Sequence, residues 1–331
     1  MKTKVLVICG PTASGKSELA LRLAHGLDGE IVNADSMQVY RGMNIGTAKP
    51  SPEEQDGIPH HLIDIVRPDQ PFSAADFSEA AATVIKDISS RGKRAIVVGG
   101  TGLYIRSLLN GLVDSPGDAG DTREALRAEA HVRGNQAMWE QLRQVDPELA
   151  EQIHPNNLVR VIRALEVFRT TGIPLSRYQQ EHAFSDQRYR ALQIGIHVER
   201  PLLYSRIDQR VDRMLEQGLL QEVQQLLNDG FGADLKAMRA IGYKEMTAHL
   251  AGEYSLDEAI RLIKRDTRHY AKRQLTWFNG DKDILWLEYP AKFDTILNTA
   301  IEFFEYGETS HGKSTFQYSG SIPQPVPQGA H

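Results

Sequence analysis

Cysteine is almost absent: the chain of 331 residues holds one, Cys9. A single thiol excludes an internal disulfide framework and a cysteine-built zinc site. It reads as a buried, inert strand residue and fits a reducing cytoplasm. Long apolar runs are missing too. A membrane-crossing helix needs roughly 20 apolar residues in a row, and none occurs, so no membrane partner is expected. The short apolar segment after Met1-Lys2-Thr3 is cut off at Gly10-Pro11 and no small-residue cleavage site follows. That favours a buried first strand over a secretory leader. An excess of positive charge is also lacking, with 38 Lys and Arg against 43 Asp and Glu. The sum does not advertise a nucleic-acid binder, but distribution counts for more than the sum. Arginines crowd two stretches. One contains Arg160, Arg163, Arg169, Arg177, Arg188 and Arg190; the other contains Arg261, Lys264, Arg265, Arg268, Lys272 and Arg273. Solvated helix faces explain such runs as readily as RNA does.

Hydrophobic patterning predicts alternating strands and helices. Strands are expected at Lys4–Cys9, Glu30–Ala34, Ala95–Val98, Leu192–Val198 and Ile284–Leu287. Helices are expected at Ser17–Leu27, Phe72–Arg91 with Ser73 as N-cap, Leu103–Leu109, Pro201–Gln217, Leu256–Trp277 and Asp294–Tyr306. This alternation argues for a parallel α/β sheet. From Asp114 the texture changes. A Pro116-Gly117-Asp118 breaker cluster leads into Arg-rich helices at about Thr122–Arg133, Asn135–Arg143 and Asn157–Thr171, closed by Gly172 and Pro174. The expected organisation is a core over 1–115, a helical insertion over 116–188, the rest of the core over 189–305 and a polar, disordered tail over 306–331. Breakers at both ends of the insertion suggest that it can swing.

Gly10-Pro11-Thr12-Ala13-Ser14-Gly15-Lys16-Ser17 fits the phosphate-binding pattern G-x-x-x-x-G-K-[ST] in its proper setting, after a strand and before a helix. Backbone amides and the helix N-terminus point at an anion. Lys16 adds a point charge, and Ser17 can ligate Mg²⁺. A second match, Gly307 to Ser314, opens onto a polar, Pro-rich tail and is accidental. The loop specifies a diphosphate or triphosphate, not a reaction. ATP hydrolases place an acid at a strand end to hold Mg²⁺, yet Ala95-Ile96-Val97-Val98 runs into Gly99-Gly100. The strand-end carboxylate is Asp35, which a parallel sheet would direct into the ligand crevice; a turn or capping aspartate is the plainer reading. His60-His61 is a poor metal pair, because neighbours in a strand face opposite ways.

Four further stretches carry a specific likeness. These are Asp35-Ser36-Met37-Gln38 through Lys49-Pro50, Gly99-Gly100-Thr101-Gly102-Leu103-Tyr104, Arg239-Ala240-Ile241-Gly242-Tyr243-Lys244, and Lys272-Arg273-Gln274-Leu275-Thr276-Trp277-Phe278. With the phosphate loop, and in this order, they resemble the bacterial tRNA dimethylallyltransferases over most of residues 1–305. The resemblance implies a P-loop NTPase-like parallel sheet with a helical insertion domain. It implies a Mg²⁺-dependent transferase that moves a dimethylallyl group from its diphosphate to N6 of the adenosine 3′ of the anticodon, in tRNAs reading codons that begin with U; a monomer is expected, although the sequence does not fix the oligomeric state. On that reading Asp35 is the general base, and Lys16 and Arg210 neutralise the leaving diphosphate. Gln38 reads the adenine edge, and Thr101 bonds base or diphosphate. The tRNA anticodon stem-loop is gripped by Ser36 and Met37, by Arg123 and Val159-Arg160-Val161-Ile162-Arg163, and by the 239–244 and 272–279 stretches, the last ending at Asn279. The plainer readings are an exposed helix arginine for Arg210, a helix cap for Thr101, and core packing for Trp277 and Phe278. The eukaryotic Cys/His zinc module of the family has no counterpart here. Three rivals stay open: a nucleoside kinase, a prenyltransferase acting on free AMP, and an RNA-binding GTPase-like module, whose N-K-x-D signature is not found.

Overall fold

The structure is a computed structural model that describes residues 2–111, 120–182 and 188–306. In chain order its elements are β1 (Lys4–Cys9), α1 (Lys16–Leu27), β2 (Gly29–Asn33), β3 (His60–His61), α2 (Ala74–Ser90), β4 (Arg94–Gly99) and α3 (Gly102–Asn110). Then come α4 (Gly120–Val145), α5 (Pro147–Gln152), α6 (Leu158–Thr171) and α7 (Leu175–His182). The chain closes with β5 (Arg190–His197), α8 (Arg200–Glu216), α9 (Leu219–Asn228), α10 (Tyr243–Leu250), α11 (Leu256–Asn279), β6 (Ile284–Glu288) and α12 (Phe293–Tyr306).

The six strands form one sheet in the order β3-β2-β4-β1-β5-β6, and every pairing is parallel. β1 is central, with Cys9 opposite both Gly99 and Gly195. Its residues alternate between the two faces. Val5, Val7 and Cys9 pack with Phe77 and Ile85 of α2 and Tyr104 and Leu108 of α3. Leu6 and Ile8 pack with Leu19 and Leu23 of α1 and Ile296 and Phe303 of α12. Helices on both faces explain why β1 reads as an unbroken apolar run. Burial pushes the Cys9 thiol up to about 12, so it stays a neutral packing group.

The insertion has its own core, in which Leu126, Met138, Leu142, Leu149, Val161 and Leu165 are buried together. Gly134 (φ 78°) breaks α4 into two helical segments, at the point where the sequence pattern breaks. Asp146 is buried and caps α5 through Leu149 N (3.2 Å) while also accepting from Ser176 N (2.9 Å). The expected boundary near 116 and the segment 183–187 lie outside the described residues, as do the tail from 307 onward and the second loop match within it. No helix among the described residues is long and apolar enough to cross a membrane.

The edge strand β3 is missing from the sequence pattern because it is two residues long. His60 and His61 both have protein partners: His60 Nδ1 lies 2.8 Å from Ile58 O, and His61 Nε2 lies 2.8 Å from Glu30 Oε2. Glu30 is buried and also accepts from the Arg91 guanidinium, which holds its carboxyl at about 2. A depressed carboxyl stabilises the fold above its unfolded value of 4.5, and that contribution fades as pH falls toward 2. Glu30→Gln is therefore expected to destabilise the protein at pH 7 by about 1–3 kcal/mol. In denaturant titrations the difference from wild type should shrink steadily as pH drops below about 4.5.

Candidate active site

The C-terminal ends of β1, β2 and β4 open onto one crevice, as a parallel sheet requires. At β1 the loop from Gly10 to Gly15 leads into α1, with Ala13 (φ 62°) and Gly15 (φ 97°) both left-handed. This folding aims the first amides of α1 at one point and leaves Ser17 exposed on the first turn. Ser14 Oγ is buried and has no hydrogen-bond partner among the described residues. Lys16 Nζ curls back to donate to Pro11 O at 2.5 Å. Burial, then the neighbouring Arg210, pushes the Lys16 ammonium down to about 8, against the opposing pull of Asp35.

A second helix brings more cations to the loop. Arg206, Arg210 and Arg213 lie on one face of α8, at helical spacing. With Ala13, Gly15 and Tyr289 they line a cavity of about 290 Å³. Arg210 Nη1 donates to Thr12 Oγ1 at 3.4 Å, so this arginine is not a free surface residue. Its pKa is lowered by burial and by Arg213 and supported by Asp35.

Asp35 follows β2 by two residues, and β4 positions it. Ala34 N donates to Val98 O (2.7 Å) and Thr101 N to Ala34 O (3.3 Å). A side chain at Gly99 would collide with the Ala34 carbonyl, which is why β4 ends in glycine. Thr101 occupies the N-cap position of α3 but makes no side-chain cap bond. Its Oγ1 instead accepts from Ser36 N at 3.0 Å, tying the two strand ends together beside Asp35. Asp35 Oδ1 accepts from Met37 N at 2.8 Å, and the other oxygen has no partner among the described residues. The Asp35 charge acts on Lys16, Arg210, Tyr104 and Tyr270, which places phosphate loop, cations and carboxylate in one field. Tyr270 was not anticipated. It is pushed up to about 12 by burial and Asp35, and it interacts with Thr101 and Gln274. Its signal in the sequence is its place four residues before Gln274 on an amphipathic helix.

The stretches expected to face RNA divide by burial. On α11, Lys272, Arg273, Thr276, Trp277 and Asn279 are exposed, while Gln274 and Phe278 are buried and Leu275 is half-buried. Gln274 turns inward, accepting from Thr12 N (2.8 Å) and donating to Gly100 O (2.9 Å). The Trp277 indole lies against Gly102 at the start of α3. With His269, Lys272, Arg273 and Thr276 it lines an open cavity of about 580 Å³. In the 239–244 stretch Arg239 and Lys244 are exposed, with Lys244 paired to Asp266 at 3.0 Å. Ala240 and Ile241 are half-buried, and Gly242 and Tyr243 are buried inside the core. On α6, Val159 and Arg160 are exposed, but Val161 and Ile162 point into the core of the insertion. Arg123 and Arg163 both bond the buried Glu166 carboxylate, each at 2.9 Å. Helical periodicity imposes this division, because a contiguous stretch on a helix cannot all face one way.

Phosphate loop, convergent arginines and a strand-end carboxylate meet at one edge of a parallel sheet, the architecture of a P-loop-type enzyme. Residues 38–281 match the family model described as IPP transferase. The chain is 67% identical over 302 residues to a tRNA dimethylallyltransferase of Pelobacter propionicus, covering 91% of this chain and 98% of that one. Among solved structures it resembles the tRNA isopentenylpyrophosphate transferase of Bacillus halodurans, with TM-score 0.69 and 43% identity, covering 92% and 98% of the two chains. A eukaryotic dimethylallyltransferase acting on tRNA gives TM-score 0.77 at 31% identity, covering 93% and 81%. The chain belongs to the IPP transferase family.

Lys16 is charged below about pH 8 and loses its proton above it, so its grip on an anion weakens as pH rises. Affinity for inorganic diphosphate, measured by calorimetry, is expected to fall above about pH 8 in the wild type. Lys16→Arg, which keeps its charge, should lack that part of the fall.

Proposed function

We infer that the chain transfers a dimethylallyl group from dimethylallyl diphosphate to N6 of the adenosine immediately 3′ of the anticodon, in tRNAs that read codons beginning with U. The observation that carries this reading is the shared crevice: Asp35 has one carboxylate oxygen without a partner among the described residues, and its charge acts on both Lys16 and Arg210 at the phosphate loop. The diphosphate sits on residues 10–17, with the arginines of α8 against it. An exocyclic adenine amine is a weak nucleophile, because its lone pair is delocalised into the ring. As N6 bonds to C1 of the prenyl group, the C1–O bond breaks and the electron pair leaves with diphosphate. Lys16, Arg210 and the loop amides meet that growing charge. The N6 proton passes to Asp35, a contribution of roughly 10²–10⁴-fold for a positioned base.

Mg²⁺ fits this site. Ser17 presents a hydroxyl on the first turn, and among the described residues no cluster of three or more His, Cys, Asp or Glu competes for a metal. An ion held mainly by phosphate oxygens, Ser17 and water matches its preferences. When bound, it supplies further charge for the leaving diphosphate.

The target base must leave the anticodon stack, at a cost of a few kcal/mol. The exposed face of α11 offers what that step needs, with Trp277 as a stacking platform and Lys272 and Arg273 for the backbone. Trp277 lies beside the start of α3 and hence beside Thr101. Arg160 and Val159 on the insertion provide a second exposed contact surface. A kinase is disfavoured because β4, the strand beside β1, ends in Gly99-Gly100 without a carboxylate for Mg²⁺.

The test uses purified protein, Mg²⁺, labelled dimethylallyl diphosphate and an anticodon stem-loop, with free AMP and ATP in parallel arms. Label should enter the stem-loop and not AMP, and Asp35→Ala should lower the rate by roughly 10²–10⁴-fold. Label in AMP alone, or ATP turnover without transfer, would overturn the reading.

A further inference from the structure

The segment after Gln38 belongs to no strand or helix, yet it is tightly held. Glu222, on α9 and outside every sequence motif discussed above, reaches across to it. Its Oε2 accepts from the amides of Asn44 (2.9 Å) and Ile45 (2.8 Å). Its Oε1 accepts from the amide of Gly46 (3.1 Å) and the phenol of Tyr243 (2.6 Å). A carboxylate has acceptors only, and here four donors meet it. Tyr243 is fully buried, and its ring stands 2.5 Å from where a Cβ on Gly46 would lie, so only glycine admits it. Lys49 adds a second tie, donating to Tyr40 O (2.8 Å), Asn44 Oδ1 (2.9 Å) and Asp64 Oδ1 (2.6 Å).

Held in this way, the segment turns two carbonyls onto Gln38. Gln38 Nε2 donates to Thr47 O (3.0 Å) and Ala48 O (3.1 Å). Carbonyls only accept, so the flipped carboxamide would set oxygen against two oxygens. Both donors of the carboxamide are thus committed to the protein. Gln38 Oε1 accepts from no described residue. Three residues earlier, Asp35 likewise offers an unpartnered carboxylate oxygen. Two acceptors suit a nitrogen that bears two hydrogens, and they oppose a keto oxygen in the same place.

We propose that Glu222 is a positioning residue for base selection: by fixing Asn44–Ala48 it locks Gln38 as an acceptor, so that Asp35 and Gln38 together favour an exocyclic amine over a keto group. This rests on the adenine-transfer reading above. Glu222 touches neither substrate; it acts through the backbone of 44–48 and the amide of Gln38.

The experiment compares two anticodon stem-loops, identical except for adenosine or inosine at the target position, which exchanges the amine for a keto group. Dissociation constants are measured by fluorescence anisotropy with Mg²⁺ and inorganic diphosphate present. Wild type should prefer adenosine. Glu222→Gln and Gln38→Leu should each reduce the inosine-to-adenosine ratio of dissociation constants by about tenfold, the value of one well-placed hydrogen bond. A purely structural role would weaken both RNAs equally and leave the ratio unchanged, which overturns the proposal; so does a wild type that binds both alike. If Glu222→Gln does not fold, Tyr243→Phe removes one donor to the same carboxylate and should move the ratio in the same direction. Failure of the wild type to prenylate the adenosine stem-loop would instead defeat the function itself. Prenylation with an unmoved ratio defeats only the role of Glu222.

Discussion

A single buried carboxamide joins the two halves of the site. Gln274 accepts from the Thr12 amide and donates to the Gly100 carbonyl, so one α11 side chain spans the phosphate loop after β1 and the turn after β4. Those segments carry different chemistry. The first carries Lys16, beside Arg210 of α8, and the second carries Thr101, which fixes the backbone next to Asp35. Transfer between two bound groups depends on their relative placement far more than on the strength with which either is held. Gln274 links the two segments from within the core, where water cannot compete for its hydrogen bonds.

The rest of the architecture serves the same geometry. A parallel sheet brings β1, β2 and β4 to a common edge, and the close approach at Gly99 lets the β2 and β4 ends touch. Packing then fixes the cations. Ala13 packs with Leu203, Ile207 and Ala271, which seats the phosphate loop between α8 and α11 and leaves the arginine face of α8 directed at the loop. An Asp208–Arg268 pair, with bonds of 2.5 and 2.7 Å, ties α8 to α11. The low proton affinity of Lys16 follows first from its burial under this packing and then from the nearby Arg210 charge.

Much of this is legible in the chain because the signals are local. The phosphate loop is a contiguous pattern flanked by a strand and a helix, Ser73 is the expected N-cap of α2 and completes a capping box with Asp76, and Gly172 ends α6 in the left-handed conformation. Gly134 breaks α4 where two helices are expected. What escapes is long-range. Glu222 lies on α9, an element that no strand–helix alternation demanded, and its partners are about 180 residues away. Tyr270 gains its place only when α11 folds against Thr101. The motif stretches identify the family, but they do not say which of their residues face outward. Gln274, Phe278, Val161, Ile162 and Tyr243 sit inside because helical phase and packing, not adjacency in sequence, decide burial. Arg123 and Arg163 converge on the buried Glu166, a pairing over 43 and 3 residues that charge counting cannot separate from a solvated run.

The most direct test of the shared frame is the single-turnover rate of prenyl transfer by Gln274→Leu with both substrates saturating. The variant puts an apolar side chain of similar size at a buried position and removes both bridging bonds. If Gln274 aligns donor with acceptor, the transfer rate should fall about hundredfold even though each substrate is fully bound. An unchanged single-turnover rate, accompanied only by weaker diphosphate binding or a lower melting temperature, would contradict the account.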